Sequence, residues 1–121
     1  GMFLPIQAAA VEALTGDQAV VAETRAAYEH RRDVLCDGLI KAGWQMEKPA
    51  GTMFVWAPIP SSYQDSEAFV ADLLDKTGVL VTPGSAFGPS GEGYVRMALV
   101  QSEDTMKKIV EAVAASGIFG K

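Results

Sequence analysis

The segment from Tyr94 to Val100 places a single arginine, Arg96, in the middle of an apolar strand pattern. Successive strand residues point to opposite faces, so Val95 and Met97 lie on one face and Arg96 lies on the other. An arginine keeps its charge in any protein environment and therefore needs an anion when its surroundings are apolar. Its planar guanidinium matches a carboxylate through two parallel hydrogen bonds. The sequence thus predicts that Arg96 binds a carboxylate, either of this chain, with Glu92 the nearest along the sequence, or of a ligand.

A glycine-rich loop leads into this strand. Val79–Val81 is predicted to be a short apolar strand that ends at Pro83-Gly84, and the loop continues over residues 85–93. Its glycines allow the backbone to approach a ligand closely. No helix begins directly after the loop, so a phosphate cradle of the kind formed at helix N-termini is not predicted. Phe87 lies within the loop, and its ring is a candidate for the wall of a substrate pocket beside Arg96.

The periodicity of the remaining chain predicts four helices and at least three strands. A long helix from residue 18 to residue 42 would span roughly 37 Å, which is longer than a domain of this size needs and suits a helix that bridges two domains. One strand lies over residues 53–59, with Trp56 predicted in the core, and Trp44–Glu47 is a candidate fourth strand.

The predicted fold class is α/β, as a two-layer α+β domain with an antiparallel or mixed sheet of three to four strands and helices on one face. The strand–helix–strand crossover favours parallel outer strands, and the Arg96 strand can then insert between them, antiparallel to both.

Composition narrows the class of protein. The 121 residues contain 49% hydrophobic residues, enough for one core, and the net charge of −5 comes from acidic and basic residues mixed along the chain. That mixture argues against a nucleic-acid or membrane partner, and a cytoplasmic location is expected because no targeting or membrane-spanning pattern is visible. Cys36 lies on an apolar helix face and is predicted to be a core residue. His30 has no second ligand near it, so no metal site is predicted.

Several segments resemble the C-terminal part of the class I/II aminotransferases, which are pyridoxal-phosphate enzymes of fold type I. The most specific is the block Gly78–Gly88 followed by Gly93–Ala98, which contains Arg96. Three upstream segments match the family in the same order, and they are Pro5–Ala10, Tyr28–Asp33 and Pro49–Trp56. The pattern is similar to the branch of the family that contains LL-diaminopimelate aminotransferase.

The resemblance implies that residues 1–121 are the small, C-terminal domain of such an enzyme, including the long helix near residues 18–42, and that the large cofactor-binding domain is absent. The full-length enzyme would be a homodimer that moves an amino group between an amino acid and a 2-oxo acid. The family arginine that matches Arg96 binds the substrate α-carboxylate, and Phe87 is a weaker substrate-binding candidate. The small domain would also close over the active site.

The same resemblance assigns the cofactor chemistry to sequence outside this chain. None of the lysines lies in an apolar pocket that would prepare it for imine formation. No catalytic, cofactor-binding or metal-binding residue is therefore assigned, pyridoxal phosphate is not expected to be bound here, and the chain alone is expected to be inactive.

A different class of function fits the strand order equally well. A free-standing regulatory module with a ferredoxin-like β-α-β-β-α core would bind an amino acid through its carboxylate without chemistry. The long helix before the core and the contiguous family segments favour the aminotransferase interpretation over this module.

Overall fold

The structure is a computed structural model that describes residues 1–120. These residues form four helices and three strands. The helices are α1 (Leu4–Thr15), α2 (Ala19–Lys41), α3 (Ser66–Thr77) and α4 (Glu103–Ser116), and the strands are β1 (Phe54–Pro58), β2 (Thr82–Pro83) and β3 (Tyr94–Ala98). Two short 3-10 turns, Gly84–Phe87 and Pro89–Gly91, form the connection between β2 and β3. These elements confirm the predicted α+β class.

Polar and glycine caps set both ends of α3 and the start of α4. The Asp65 carboxylate accepts a hydrogen bond from the Ala68 N–H at the start of α3, at 2.8 Å, and the Ser102 hydroxyl accepts one from the Thr105 N–H at the start of α4, at 3.2 Å. α3 ends at Gly78, whose φ of 71° is a conformation that glycine adopts without the cost of a Cβ. The chain therefore turns back toward the sheet at a fixed residue.

The three strands form one sheet in the order β1-β3-β2, and both outer strands run antiparallel to β3. This confirms the prediction that the Arg96 strand is central and that the outer strands are parallel to each other. The register places Trp56 of β1 on one side of Arg96 and Thr82 of β2 on the other. Arg96 is therefore the middle residue of a row that crosses the whole sheet.

α3, α4 and the second half of α2 cover one face of this sheet, which confirms the prediction that helices lie on one face. Val55 and Val95 point toward the helices and are fully buried. Trp44 packs edge-to-face against Phe69 of α3 in the same core, with 5.3 Å between the ring centres. Cys36 is buried as predicted, and this burial raises the pKa of its thiol to about 11. The other buried apolar side chains are Leu35, Leu39, Ala57, Val70, Leu73, Val81, Met97, Leu99, Met106 and Val113.

Two strand predictions are wrong. Residues 79–81 do not pair with the sheet, because the Val79 N–H bonds back to the Thr77 hydroxyl at the end of α3 and pairing begins only in β2. Trp44–Glu47 does not pair either: the Trp44 backbone N–H donates to the Leu39 carbonyl at the end of α2, at 3.0 Å, and its indole N–H donates to the Pro58 carbonyl at 2.9 Å. The sheet of residues 1–120 therefore has three strands, the lower of the predicted numbers.

α1 and the first half of α2 lie outside the core. No residue of α1 is buried, and the buried residues of α2 are confined to its second half. Ile6 and Leu14 of α1 are 55% and 81% exposed, and Val21 of α2 is 57% exposed. These helices therefore present apolar side chains away from the sheet. Across residues 1–120, none of the helices combines the length and the apolar character needed to cross a membrane.

The connection between β2 and β3 folds back on itself at two buried glycines. A Cβ on Gly84 would lie 1.9 Å from the Gly91 carbonyl oxygen, and a Cβ on Gly91 would lie 2.2 Å from the Gly84 carbonyl oxygen. Real Cβ atoms do not approach backbone this closely, so only residues without a side chain fit at these two positions.

We expect Gly84→Ala to destabilise the protein, because the new methyl group would overlap backbone rather than a flexible side chain. Overpacking of this kind typically costs about 1–3 kcal/mol. Gly51→Ala is the matched control, since a Cβ at Gly51 would meet nothing within 4 Å. Urea unfolding measures the two free energies of unfolding, and equal stability of the two variants would contradict the close approach of Gly84 to Gly91.

Candidate functional site

The face of the sheet opposite to the helices carries Arg96 and several aromatic side chains. Arg96 is half-buried, while Trp56 and Tyr94 on the same face are 41% and 40% exposed. The prediction that Trp56 packs in the core is wrong. The register pairs Trp56 directly with Arg96, so its side chain shares the uncovered face while its neighbour Val55 points into the core.

Two phenylalanine rings contact the Arg96 guanidinium. The Cζ atom lies 4.3 Å from the centre of the Phe54 ring and 4.4 Å from the centre of the Phe87 ring. At these distances the electron-rich ring faces attract the cation. Phe54 reaches the guanidinium from β1, and Phe87 reaches it from the first 3-10 turn after β2. Ring contacts use the faces of a guanidinium and leave the N–H groups in its plane for hydrogen bonding.

Arg96 has no anionic partner within residues 1–120. Its Nε is buried and has no hydrogen-bond partner among these residues, and none of their ion pairs includes Arg96. A buried donor without an acceptor costs about 1–3 kcal/mol. The alternative in which a carboxylate of this chain neutralises Arg96 is therefore wrong for the described residues. Binding of a ligand carboxylate by Arg96 stays a prediction.

The carboxylate of Glu92, the candidate partner of Arg96 within the chain, forms its hydrogen bonds with Ser66 and Gly93 instead. Its carboxylate accepts hydrogen bonds from the N–H groups of Ser66 and Gly93, each at 2.7 Å, and from the Ser66 hydroxyl at 3.1 Å. The hydrogen bonds from Gly93 and Ser66 hold the pKa of the Glu92 carboxyl below its usual value. Ser66 is 26 residues away along the chain, so proximity in sequence could not identify it.

Trp56 connects the aromatic side chains of this face. Its ring stacks on Tyr94 with 5.6 Å between centres and 15° between planes, and the Phe87 ring meets it nearly edge-on at 5.9 Å. Phe87 is 49% exposed and lies against both Trp56 and Arg96, so its ring could form the predicted wall beside the arginine. Sequence reasoning misses Phe54 and Trp56 as neighbours of Arg96, because that contact depends on the pairing register of β1 with β3.

The uncovered face of the sheet is suited to bind a carboxylate. We call this surface the aromatic face, and it consists of Arg96 together with Phe54, Trp56, Phe87 and Tyr94. The set offers one cation with unused N–H donors, and none of its members is a carboxylate, histidine, cysteine or lysine. A planar anion that accepts two parallel hydrogen bonds matches it.

The described lysines are exposed or ion-paired. The Lys48 ammonium lies 2.7 Å from the Asp37 carboxylate and 3.2 Å from that of Asp33, and the Lys107 ammonium lies 2.6 Å from that of Glu103. Hydrogen bonds to these carboxylates raise the pKa of Lys48 and of Lys107, which keeps both amines protonated. Imine formation needs a neutral amine. The Lys76 ammonium lies 2.7 Å from the Asp72 carboxylate, and all five described lysines, including Lys41 and Lys108, are exposed.

Two other features of residues 1–120 offer less chemistry. His30 lies on the surface with its Nε2 at 2.8 Å from the Glu103 carboxylate, and no group of three metal-binding side chains occurs in this part of the chain. An open cavity of about 620 Å³ lies beside Trp44, Pro58 and Phe119, but its described lining residues include no titratable side chain. The aromatic face is therefore the better candidate site.

The sequence matches a known family over most of its length. A family model described as aminotransferase class I and II matches residues 3–113. That range contains the long helix α2, the whole sheet and the aromatic face.

Curated relatives and solved structures agree with this match. The LL-diaminopimelate aminotransferase of Moorella thermoacetica is 44% identical over 92% of this chain and 28% of its own length. The glutamate-pyruvate aminotransferase AlaC of Escherichia coli is 42% identical over 95% of this chain and 28% of its own length. The apo-BacF structure from Bacillus subtilis superposes with a TM-score of 0.85 and 36% identity, covering 100% of this chain and 31% of that one. An aromatic aminotransferase structure from Pyrococcus horikoshii gives a TM-score of 0.83 with 32% identity, over 93% of this chain and 31% of that one.

The chain spans less than a third of the length of these relatives. Their names point to different amino acids, so the similarity does not select one amino-group donor. The family model, the sequence identity and the shared fold nevertheless agree with one another, and by them this chain belongs to the class I and II aminotransferase family.

Proposed function

We propose that this chain is the small, carboxylate-binding domain of a pyridoxal-phosphate-dependent aminotransferase. The observation that carries the proposal is the Arg96 guanidinium, which contacts two phenylalanine rings and has a buried Nε without a partner among residues 1–120. An amino acid and a 2-oxo acid both carry a carboxylate next to the reacting carbon. One arginine can therefore bind the substrate of each half of an amino-group transfer.

Arg96 would orient the substrate as well as bind it. Two parallel hydrogen bonds to the carboxylate restrict rotation of the attached carbon, and holding a reacting bond in one direction can lower a barrier substantially. The rings of Phe54 and Phe87 keep water from the guanidinium, which strengthens its attraction for an anion. Closure of the small domain over the bound substrate would exclude water further.

Pyridoxal phosphate is the cofactor of this family and supplies, when bound, the carbonyl group that accepts the amino group. Residues 1–120 do not fit its covalent site, because their lysines are exposed or held by carboxylates and none belongs to the aromatic face. We propose that the covalent site lies in a large domain of the full-length protein, outside this sequence. The contribution of this chain is then the recognition of the substrate carboxylate.

The exposed apolar residues of α1 and the first half of α2 support a larger assembly. Apolar surfaces of this kind mark interfaces. We propose that in the full-length protein, a cytoplasmic homodimer, Ile6 and Val21 contact the large domain or the second subunit. A free-standing regulatory module of 121 residues would leave this surface uncovered, which is why we prefer the aminotransferase domain.

We expect Arg96→Ala in the full-length enzyme to raise KM for the amino acid and to lower kcat/KM. Loss of a hydrogen-bonded charge partner costs about 2–5 kcal/mol, which corresponds to a fall of roughly thirty- to several-thousand-fold. Arg96→Lys should recover only part of this loss, because an ammonium lacks the planar fork. Steady-state kinetics with a panel of amino acids measures both variants.

Lys108→Ala is the matched control for Arg96→Ala, since it removes the same charge from an exposed position on α4. Circular dichroism of Arg96→Met measures whether the fold survives removal of the guanidinium, and we expect that it does. Unchanged kinetics in Arg96→Ala, or unfolding of Arg96→Met, would show that the arginine is structural and that the proposed site is misplaced.

We also expect that this chain alone forms no stoichiometric imine with pyridoxal phosphate. Its described lysines are all exposed on the surface, so none should react in preference to the others. Borohydride reduction followed by peptide mass spectrometry measures the labelling. Complete labelling at one lysine, with the others unmodified, would contradict the assignment of the covalent site to a large domain.

A further inference from the structure

The segment that carries Phe87, residues 85–92, is hydrogen-bonded at both of its ends to the start of α3. At the first end, the Ser85 N–H donates to the Ser66 hydroxyl oxygen at 3.4 Å, and the Ser85 hydroxyl donates to the Glu67 carboxylate at 3.3 Å. At the other end, the Glu92 carboxylate receives the Ser66 N–H and hydroxyl. Residues 85–92 therefore form a loop whose two ends meet at the first turn of one helix.

Ser66 is the residue that joins the two ends. It is fully buried, and its hydroxyl donates to Glu92 while it accepts from Ser85. Its N–H belongs to the first turn of α3, where helix N–H groups have no partner within the helix. A carboxylate at this position also interacts favourably with the helix dipole. Glu92 thus supplies from a distant loop an acceptor that α3 needs.

The position of Arg96 depends on the same loop. Phe87 lies between the two fixed ends, and its ring lies 4.4 Å from the Arg96 guanidinium. Glu92 also accepts the N–H of Gly93, directly before β3 begins at Tyr94. Movement of Glu92 would therefore displace both the ring against Arg96 and the start of the strand that carries it.

We propose that Glu92, through its hydrogen bonds to Ser66, is a positioning residue that holds Phe87 and Arg96 in the geometry that binds the substrate carboxylate. This inference rests on the proposed function of Arg96. It assigns to Glu92 an indirect role, since the Glu92 carboxylate hydrogen-bonds to Ser66 and Gly93 rather than to Arg96.

The test measures KM and kcat of Glu92→Gln in the full-length enzyme. A carboxamide keeps the size of the side chain but removes its charge, so the hydrogen bonds from the N–H groups of Ser66 and Gly93 lose their charge assistance and weaken. Small displacements of a binding group can cost up to about a hundredfold in rate, and we expect a rise in KM of about tenfold with a smaller change in kcat. Ser66→Ala should change KM in the same direction.

Glu103→Gln is the matched control, because Glu103 is also a carboxylate in the first turn of a helix and is hydrogen-bonded, to His30 and Lys107. Both glutamine variants should lower the melting temperature, but only Glu92→Gln should raise KM. A tenfold rise in KM in both variants would mean that general destabilisation explains the effect, and it would overturn the positioning role.

A double-mutant cycle shows whether Glu92 acts through Arg96. Glu92→Gln should have no further effect on KM in an Arg96→Ala background, because the group it positions is gone. An undiminished tenfold effect in that background, or an unchanged KM in Glu92→Gln alone with Arg96→Ala impaired, would overturn the inference and leave the proposed function intact. Unchanged kinetics in Arg96→Ala would instead refute the proposed function.

Discussion

The guanidinium of Arg96 contacts two phenylalanine rings, with its Nε buried and no carboxylate of residues 1–120 beside it. Arginine cannot lose its proton to avoid this environment. Each ring contact contributes about 0.5–2 kcal/mol, which offsets only part of the cost of removing the charge from water. The most favourable remaining partner of this cation is an anion from outside the described chain, and the substrate carboxylate is the anion that we propose.

The compact connection between β2 and β3 makes this arrangement possible. Gly84 and Gly91 approach so closely that neither position accepts a side chain, and Glu92 links the end of the connection to the start of α3. Phe87 is thereby presented to Arg96 by a segment that is hydrogen-bonded to the start of α3 at both of its ends. A glycine-rich segment that looks flexible in the sequence is thus held in one conformation by backbone contacts and one carboxylate.

Local rules predicted the elements that local interactions decide. Alternation placed Arg96 opposite to Val95, and helical periodicity predicted the four helices. The position of Trp56 could not be predicted in this way, because alternation gives two faces without saying which one the helices cover. The hydrogen bonds of Glu92 could not be predicted either, since its partner Ser66 is brought near only by the completed fold. The family resemblance supplied the carboxylate as the expected ligand of Arg96, and the geometry adds that this arginine has no anionic partner among residues 1–120.

The most direct test is to observe the Arg96 Nε–H itself by nitrogen-edited NMR of the full-length protein with labelled arginine. The Arg96→Lys variant assigns the resonance, because a lysine lacks this N–H group. Addition of a 2-oxo acid to saturation should move the Arg96 Nε–H resonance downfield and slow its exchange with water, as a hydrogen bond to a carboxylate forms. An unchanged Arg96 resonance, while the 2-oxo acid binds and perturbs a different arginine, would contradict the account.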